Sequence, residues 1–245
     1  MRDWTLFWLV APGLATGVGG LGLLVVRRPG DRLLDTLLGV TGGIMLAAAF
    51  FSLLVPALDD GTVAEVALGF VAGAGVLALL DATIPHVHAR FRERSQSREA
   101  HRATLLLSAL TIHNLPEGLA VGIAFAAGGP ELGTPLPVAI VEQNVPEGFA
   151  GAAPLLATRA SLLTAIAFAA ATGLVEPPAA LLGYAIADSV GALLPFALAF
   201  AGGAMVYVVV DEMLPESRER GNERKATGGF VVGFVVMMIL DNALG

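Results

Sequence analysis

The chain has 245 residues, of which 56% are hydrophobic and 14% charged, with a mean hydropathy of +0.76 and a formal net charge of −7. Ordinary soluble domains carry about 25% charged residues, so this composition excludes a soluble globular protein, and the acidic balance argues against a nucleic-acid partner. With no cysteine, disulfides, thiolate metal sites and sulfur nucleophiles are excluded together, leaving oxygen, imidazole and thioether as metal donors.

Eight stretches, near 4–26, 33–57, 63–84, 103–127, 136–157, 161–184, 190–210 and 227–244, are apolar over about the 20 residues that a membrane helix needs. They are too long for barrel strands, which run about ten residues with alternating polarity. The fold class predicted is an all-α membrane protein of eight transmembrane helices. Turn chemistry separates the stretches at Arg27-Arg28-Pro29-Gly30, Asp59-Asp60-Gly61, Gly128-Gly129-Pro130 and Gly221-Asn222. No linker is long enough for a second domain, so residues 1–245 read as one integral-membrane unit.

The basic residues orient that unit. All but one of the fourteen fall in alternate loops, near 27–32, 88–102, 158–160 and 215–226. Basic residues beside membrane spans favour the cytosol, which puts both termini on the periplasmic or extracellular side of an inner or plasma membrane. A signal peptide at the start is disfavoured, because Arg27 and Arg28 follow the apolar core rather than precede it. The Arg-rich segment 90–102 joins two spans and reads as a topology determinant rather than a nucleic-acid patch.

Acidic residues inside the spans are the informative feature. Glu117, Glu142, Glu147 and Glu176 lie near span middles, with Asp81, Asp211 and Glu212 nearer the cytosolic ends, and no span supplies a basic partner. A carboxylate at the bilayer centre costs about 2.5–3.5 kcal/mol on insertion scales. Such groups must be protonated, hydrated by a cavity or neutralised by a bound cation, and each option requires a polar pathway.

One hexad occurs twice: His113-Asn114-Leu115-Pro116-Glu117-Gly118 in span four and Gln143-Asn144-Val145-Pro146-Glu147-Gly148 in span five. Residues four apart share a helix face, which pairs His113 with Glu117 and Gln143 with Glu147. Asn114 and Asn144 reach around the same glutamates, so that one carboxylate can bridge two sub-sites. Pro116 and Pro146 cannot donate to the carbonyls of Ile112 and Glu142, and a kink is expected at each. Glu142 sits about 100° from Gln143 and off the ligand face.

At these residues the chain resembles the ZIP (Zrt/Irt-like) family of divalent metal transporters, in its prokaryotic branch. Further similar segments are Gly43-Ile44-Met45-Leu46-Ala47-Ala48, Gly173-Leu174-Val175-Glu176-Pro177 and Val210-Asp211-Glu212-Met213-Leu214-Pro215-Glu216. The resemblance implies one metal site from Met45, His113, Glu117, Gln143 and Glu147. A second, adjacent site would use Asn114, Glu117, Asn144, Glu147 and Glu176. It also implies a 3+2+3 arrangement with inverted repeats, a homodimer and elevator-like import into the cytosol. Zn²⁺ is the expected substrate, with Cd²⁺, Fe²⁺ and Mn²⁺ as alternatives, and no cofactor beyond the transported metal is expected. Many family members carry His where this chain has Gln143, a harder donor that blunts a preference for zinc.

An acid and two imidazoles, Asp81, His86 and His88, end span three, and Asp211 with Glu212 ends span seven; together these are expected to line the exit path. Small-xxx-small spacing at Gly69 and Gly73, Gly118 and Gly122, and Gly229 and Gly233 suits close helix packing. A proton-coupled exporter or a channel would use the same acids. A membrane di-metal enzyme is disfavoured by the lack of any His-Glu-x-x-His or Glu-x-x-His motif.

Overall fold

The computed structural model describes residues 3–92, 111–127, 134–157, 160–189 and 193–244. We number its helical rods in chain order: α1 (Asp3–Leu21), α2 (Asp31–Asp60), α3 (Val63–Arg92), α4 (111–127), α5 (Pro135–Ala157), α6 (Leu162–Gly173), α7 (Glu176–Ser189), α8 (Leu194–Glu216) and α9 (Glu223–Leu244). Among the described residues, six segments are long and apolar enough to cross a membrane: Trp4–Leu24, Asp31–Asp60, Val63–Thr83, Leu162–Ala187, Leu194–Glu216 and Glu223–Leu244. The two helices that carry the repeated hexad are not among them. One is described over residues 111–127 only, and α5 includes Glu142, Gln143, Asn144 and Glu147 within its length.

Several edges differ from those read in the sequence. The helix begun at Val63 continues to Arg92, so the loop expected from 88 starts later, and residues 93–110 lie outside the described residues. Helix α2 starts at Asp31, inside the expected loop 27–32, because Gly30 supplies an extended N-cap and Asp31 favours the positive helix start. Span seven runs on to Glu216, and a turn over 217–222 leads straight into α9, which shortens the expected loop 215–226. Of the loop near 158–160, only Ala160 is described.

Apolar side chains lie on the exterior as well as in the core, and a polar cluster is buried. Large apolar side chains such as Trp4, Leu68, Val71, Leu163 and Ile239 are exposed, while His113, Asn114, Glu117, Gln143, Asn144, Glu147 and Glu176 are buried. A lipid-facing exterior accounts for the exposed apolar side chains, and the polar residues lie inside an otherwise apolar core that includes Leu53, Ile140 and Leu198.

Close packing is obtained with glycine. Along the α2–α9 seam, Gly39 abuts the Ala226 carbonyl and Gly43 the Phe230 carbonyl, with Gly229 and Gly233 facing the Thr36 and Val40 carbonyls in return. Gly69 and Gly73 meet α8 at Phe196 and Phe200, and Gly118 and Gly122 meet α7 at Glu176 and Ala180. All three pairs singled out by spacing therefore lie at helix crossings.

Helices α2 and α8 share an internal pattern: a glycine pair, a methionine, a π-helical turn, then a proline. In α2 these are Gly42-Gly43, Met45, Ala49–Leu54 and Pro56; in α8 they are Gly202-Gly203, Met205, Val209–Met213 and Pro215. Neither proline can donate to the preceding turn, and its ring crowds a carbonyl there; the widened turn relieves that clash. The helical assignment is unbroken through Pro116 and Pro146, whereas span six is interrupted at Leu174 and Val175. The glycine at its break and Pro177-Pro178 in the first turn after it suit a stop and a restart.

At one end of the bundle, Asp35 of α2 is fully buried and both its oxygens are held by the 217–222 turn. Arg220 Nη1 donates to Oδ1 at 3.1 Å and Asn222 Nδ2 to Oδ2 at 2.9 Å. Gly221, at φ +79°, turns the chain back to make both contacts. Burial alone would lower the Arg220 pKa, but the hydrogen bond it donates to Asp35 and the charge of Glu216 outweigh it and raise the guanidinium above its ordinary value.

Gly43→Leu should collapse the α2–α9 seam, costing more than the roughly 1–3 kcal/mol of ordinary overpacking because backbone stands in the way. Gly228→Ala, with open space around it, should be neutral or stabilising by up to about 1 kcal/mol. Thermal unfolding of the purified protein in detergent reads both.

Candidate metal site

The repeated hexads supply two adjacent ligand faces. His113, Asn114 and Glu117 come from α4, and Gln143, Asn144 and Glu147 from α5; Met45 of α2 and Glu176 of α7 are buried as well, and none of the eight is more than 3% exposed. Glu176 is the first residue after the break in span six, so its carboxylate sits at a helix N-terminus, where the macrodipole favours negative charge. Glu142, by contrast, lies on an exposed face of α5, as its angular separation from Gln143 predicts.

Hydrogen bonds fix the amides. Gln143 Nε2 donates to Glu117 Oε1, which ties α5 to α4. Asn144 Nδ2 donates to Glu176 Oε1 at 2.8 Å and to the Pro12 carbonyl at 3.0 Å, and Thr16 Oγ1 donates to the same Glu176 oxygen at 3.3 Å. With their NH₂ groups committed, Gln143 and Asn144 keep their oxygens free as acceptors.

Among the described residues, the buried side-chain nitrogens and oxygens without a hydrogen-bond partner all belong to the predicted ligands. They are both nitrogens of His113, both side-chain polar atoms of Asn114, Glu117 Oε2, Gln143 Oε1, Asn144 Oδ1, both oxygens of Glu147, and Glu176 Oε2. Buried polar atoms are normally paired, which sets this concentration of unpaired ones apart from the rest of the described interior. Most of these atoms are oxygen acceptors. The three glutamates also feel one another's charge: Glu117 that of Glu147 and Glu176, and Glu176 that of Glu147.

Three or more His, Asp or Glu side chains do not close into a metal-binding cluster among the described residues. The donor set is mixed: three carboxylates, one imidazole, three amides and one thioether.

The expected exit residues divide. Glu212, in the π-helical turn of α8, brings Oε2 to 3.0 Å from His113 Nε2, without hydrogen-bond alignment, and so adjoins the site. It feels the charges of Asp81, Asp211 and Glu216, and Glu147 feels those of Glu216 and Glu212. Asp211 is exposed and Asp81 half-buried. His86 and His88 have side chains outside the described residues.

Three contributors were not anticipated. Thr16 and the Pro12 carbonyl come from α1, where no sequence pattern marks them, and Glu216 joins the acid neighbourhood because α8 extends past its expected end. Glu216 was readable as part of the Asp211–Glu216 segment; Thr16 carried no signal.

A family model described as ZIP Zinc transporter matches residues 92–241. The zinc transporter GufA of Myxococcus xanthus is 42% identical over 95% of this chain and 96% of its own length. The zinc transporter ZIPB of Bordetella bronchiseptica is 40% identical over 94% of this chain and 78% of its length, and the zinc transporter ZupT of Corynebacterium aurimucosum is 33% identical over 93% and 92%.

Asn144→Ala removes a donor from Glu176 and should cost about 1–3 kcal/mol of stability, whereas Glu142→Ala on the exposed face should stay within about 0.5 kcal/mol. Paired thermal melts in detergent at fixed pH check the difference.

Proposed function

The chain belongs to the ZIP family of zinc transporters, and on that premise we propose that it is a multi-pass plasma-membrane carrier that moves Zn²⁺, or a closely similar divalent cation, into the cytosol. The observation that supports this reading is the set of unpartnered polar atoms on α4, α5 and α7, beside buried Met45 of α2, with three carboxylates and, among the described residues, no buried Lys or Arg. A divalent ion supplies the missing charge and satisfies the free oxygens in one step.

The donors divide into two adjacent sub-sites. Met45, His113, Glu117, Gln143 and Glu147 form the first; Asn114, Glu117, Asn144, Glu147 and Glu176 form the second, with the two α4 and α5 glutamates bridging. Sharing two carboxylates lets an ion pass between sub-sites without being fully stripped of ligands. Gln143 in place of an imidazole makes the first sub-site harder, which widens selectivity toward Cd²⁺, Fe²⁺ and Mn²⁺.

Taking α6 and α7 as one interrupted span gives eight crossings, grouped 3+2+3 around α4 and α5. The recurrence of glycine pair, methionine, π-turn and proline in α2 and α8 supports a repeat between the outer groups. In this reading α4 and α5 carry the ion past the surrounding helices as an elevator does, and release proceeds along Glu212, Glu216, Asp211 and Asp81. The contact of Glu212 with His113 supports that order. An inside-negative potential favours import by roughly 2.3 kcal/mol per charge per 100 mV. A channel or proton-coupled exporter would use the same acids and differ in the direction and saturation of flux.

Glu117→Ala and Glu147→Ala should each abolish Zn²⁺ accumulation in oriented proteoliposomes while leaving membrane insertion intact; normal flux in both excludes the site. Because metal and protons compete for the same carboxylate oxygens, accumulation by the unaltered chain should fall as the pH on the loading side is lowered. A rate that rises with acid would instead favour proton-driven coupling.

A further inference from the structure

Among the described residues, Arg220 is the one Lys or Arg in ion-pair contact with a carboxylate. Its guanidinium is divided between two acids. Nη1 is held firmly, by Asp35 Oδ1 at 3.1 Å and by the Glu216 carbonyl at 3.2 Å; Nη2 reaches Glu216 Oε1 at 3.4 Å, the longest of the three contacts. Asp35 itself cannot follow a movement, because Asn222 holds its other oxygen and Gly221 fixes the turn. Glu216 has the opposite character: it is partly exposed and lies where its charge reaches Glu147 and Glu212. One arm of the guanidinium is therefore anchored and the other rests on Glu216, four residues along α8 from the Glu212 that meets His113.

We propose that Arg220 is a tethered counter-cation, occupying Glu216 between transport events and yielding that carboxylate to an arriving divalent ion while Asp35 retains the guanidinium. The argument is electrostatic. An acid row of Glu147, Glu216 and Glu212 without compensation would bind an additional divalent ion and hold it. A monovalent cation already seated at Glu216 is displaced by a doubly charged one, and once displaced it stays within the turn and repels the ion toward solvent. Release is thereby kept fast without weakening the site itself. This inference rests on the transport reading above, because only a moving cation gives the exchange a purpose.

The test is equilibrium dialysis of the purified full chain with Zn²⁺ alone. Replacing both partners, Arg220→Gln with Asp35→Asn, avoids leaving one charge buried and unpaired, which is the destabilising case; Arg220→Met with Asp35→Leu is a second pair that keeps volume and apolar packing. Either folded pair should bind one Zn²⁺ per chain more than the unaltered protein, and adding Glu216→Gln should remove that ion. Arg220→Lys, which keeps the charge, should leave the count unchanged. An unchanged count in both double variants, or an extra ion that survives Glu216→Gln, overturns the proposal. The ions lost on Glu117→Ala or Glu147→Ala report separately on the main site: if the unaltered chain has none, the transport reading fails, and if it has them while the double variants gain nothing, only the role of Arg220 fails.

Discussion

Three carboxylates, Glu117, Glu147 and Glu176, are buried within reach of one another's charge, and among the described residues no Lys or Arg is buried with them. In a medium of low polarizability their mutual repulsion and lost hydration are worth many times what they would be in water. The neighbouring side chains answer only part of that demand. Gln143, Asn144 and Thr16 donate to two carboxylate oxygens, and the start of α7 lends its dipole to Glu176. Glu147 receives none of this help, and its two oxygens remain free. In the proposed function a divalent cation meets that deficit.

The surrounding architecture packs closely around that deficit. Glycines at Gly43, Gly73, Gly118 and Gly122 let backbones come into contact at the helix crossings. The break at Leu174 and Val175 presents Glu176 from a helix start rather than from mid-helix. The π-helical turn in α8 sets Glu212 against His113 and so links the site to the acids beyond it. Where the acid row ends, a cation finally appears: Arg220, pinned to buried Asp35.

The sequence was most informative where chemistry and helical period coincide. The two hexads were legible because spacing by three and four, repeated thirty residues apart, places the same donor types on one face of two helices. Glu142 could be set aside for the same geometric reason, and the glycine pairs fell at crossings because their spacing follows the helix surface. Met45 was visible only through the family resemblance, since a thioether in an apolar span is indistinguishable from packing. Thr16 reaches Glu176 across 160 residues and Arg220 reaches Asp35 across 185, contacts that no local pattern encodes. The ends of α2, α3 and α8 were misjudged because a helix can continue past the apolar stretch that embeds it. The interruption of span six was written in Gly173 and Pro177-Pro178, yet an apolar run on both sides masked it.

Diffraction from crystals grown with Zn²⁺ or Cd²⁺, with anomalous scattering used to locate the ion, tests the central claim most directly. The account requires metal peaks between Glu117 and Glu147, with oxygens of Gln143, Asn144 and Glu176, His113 and the Met45 sulfur among the ligands of one peak or the next. Carboxylates that remain apart with only solvent or nothing between them, at metal concentrations that saturate transport, would contradict it.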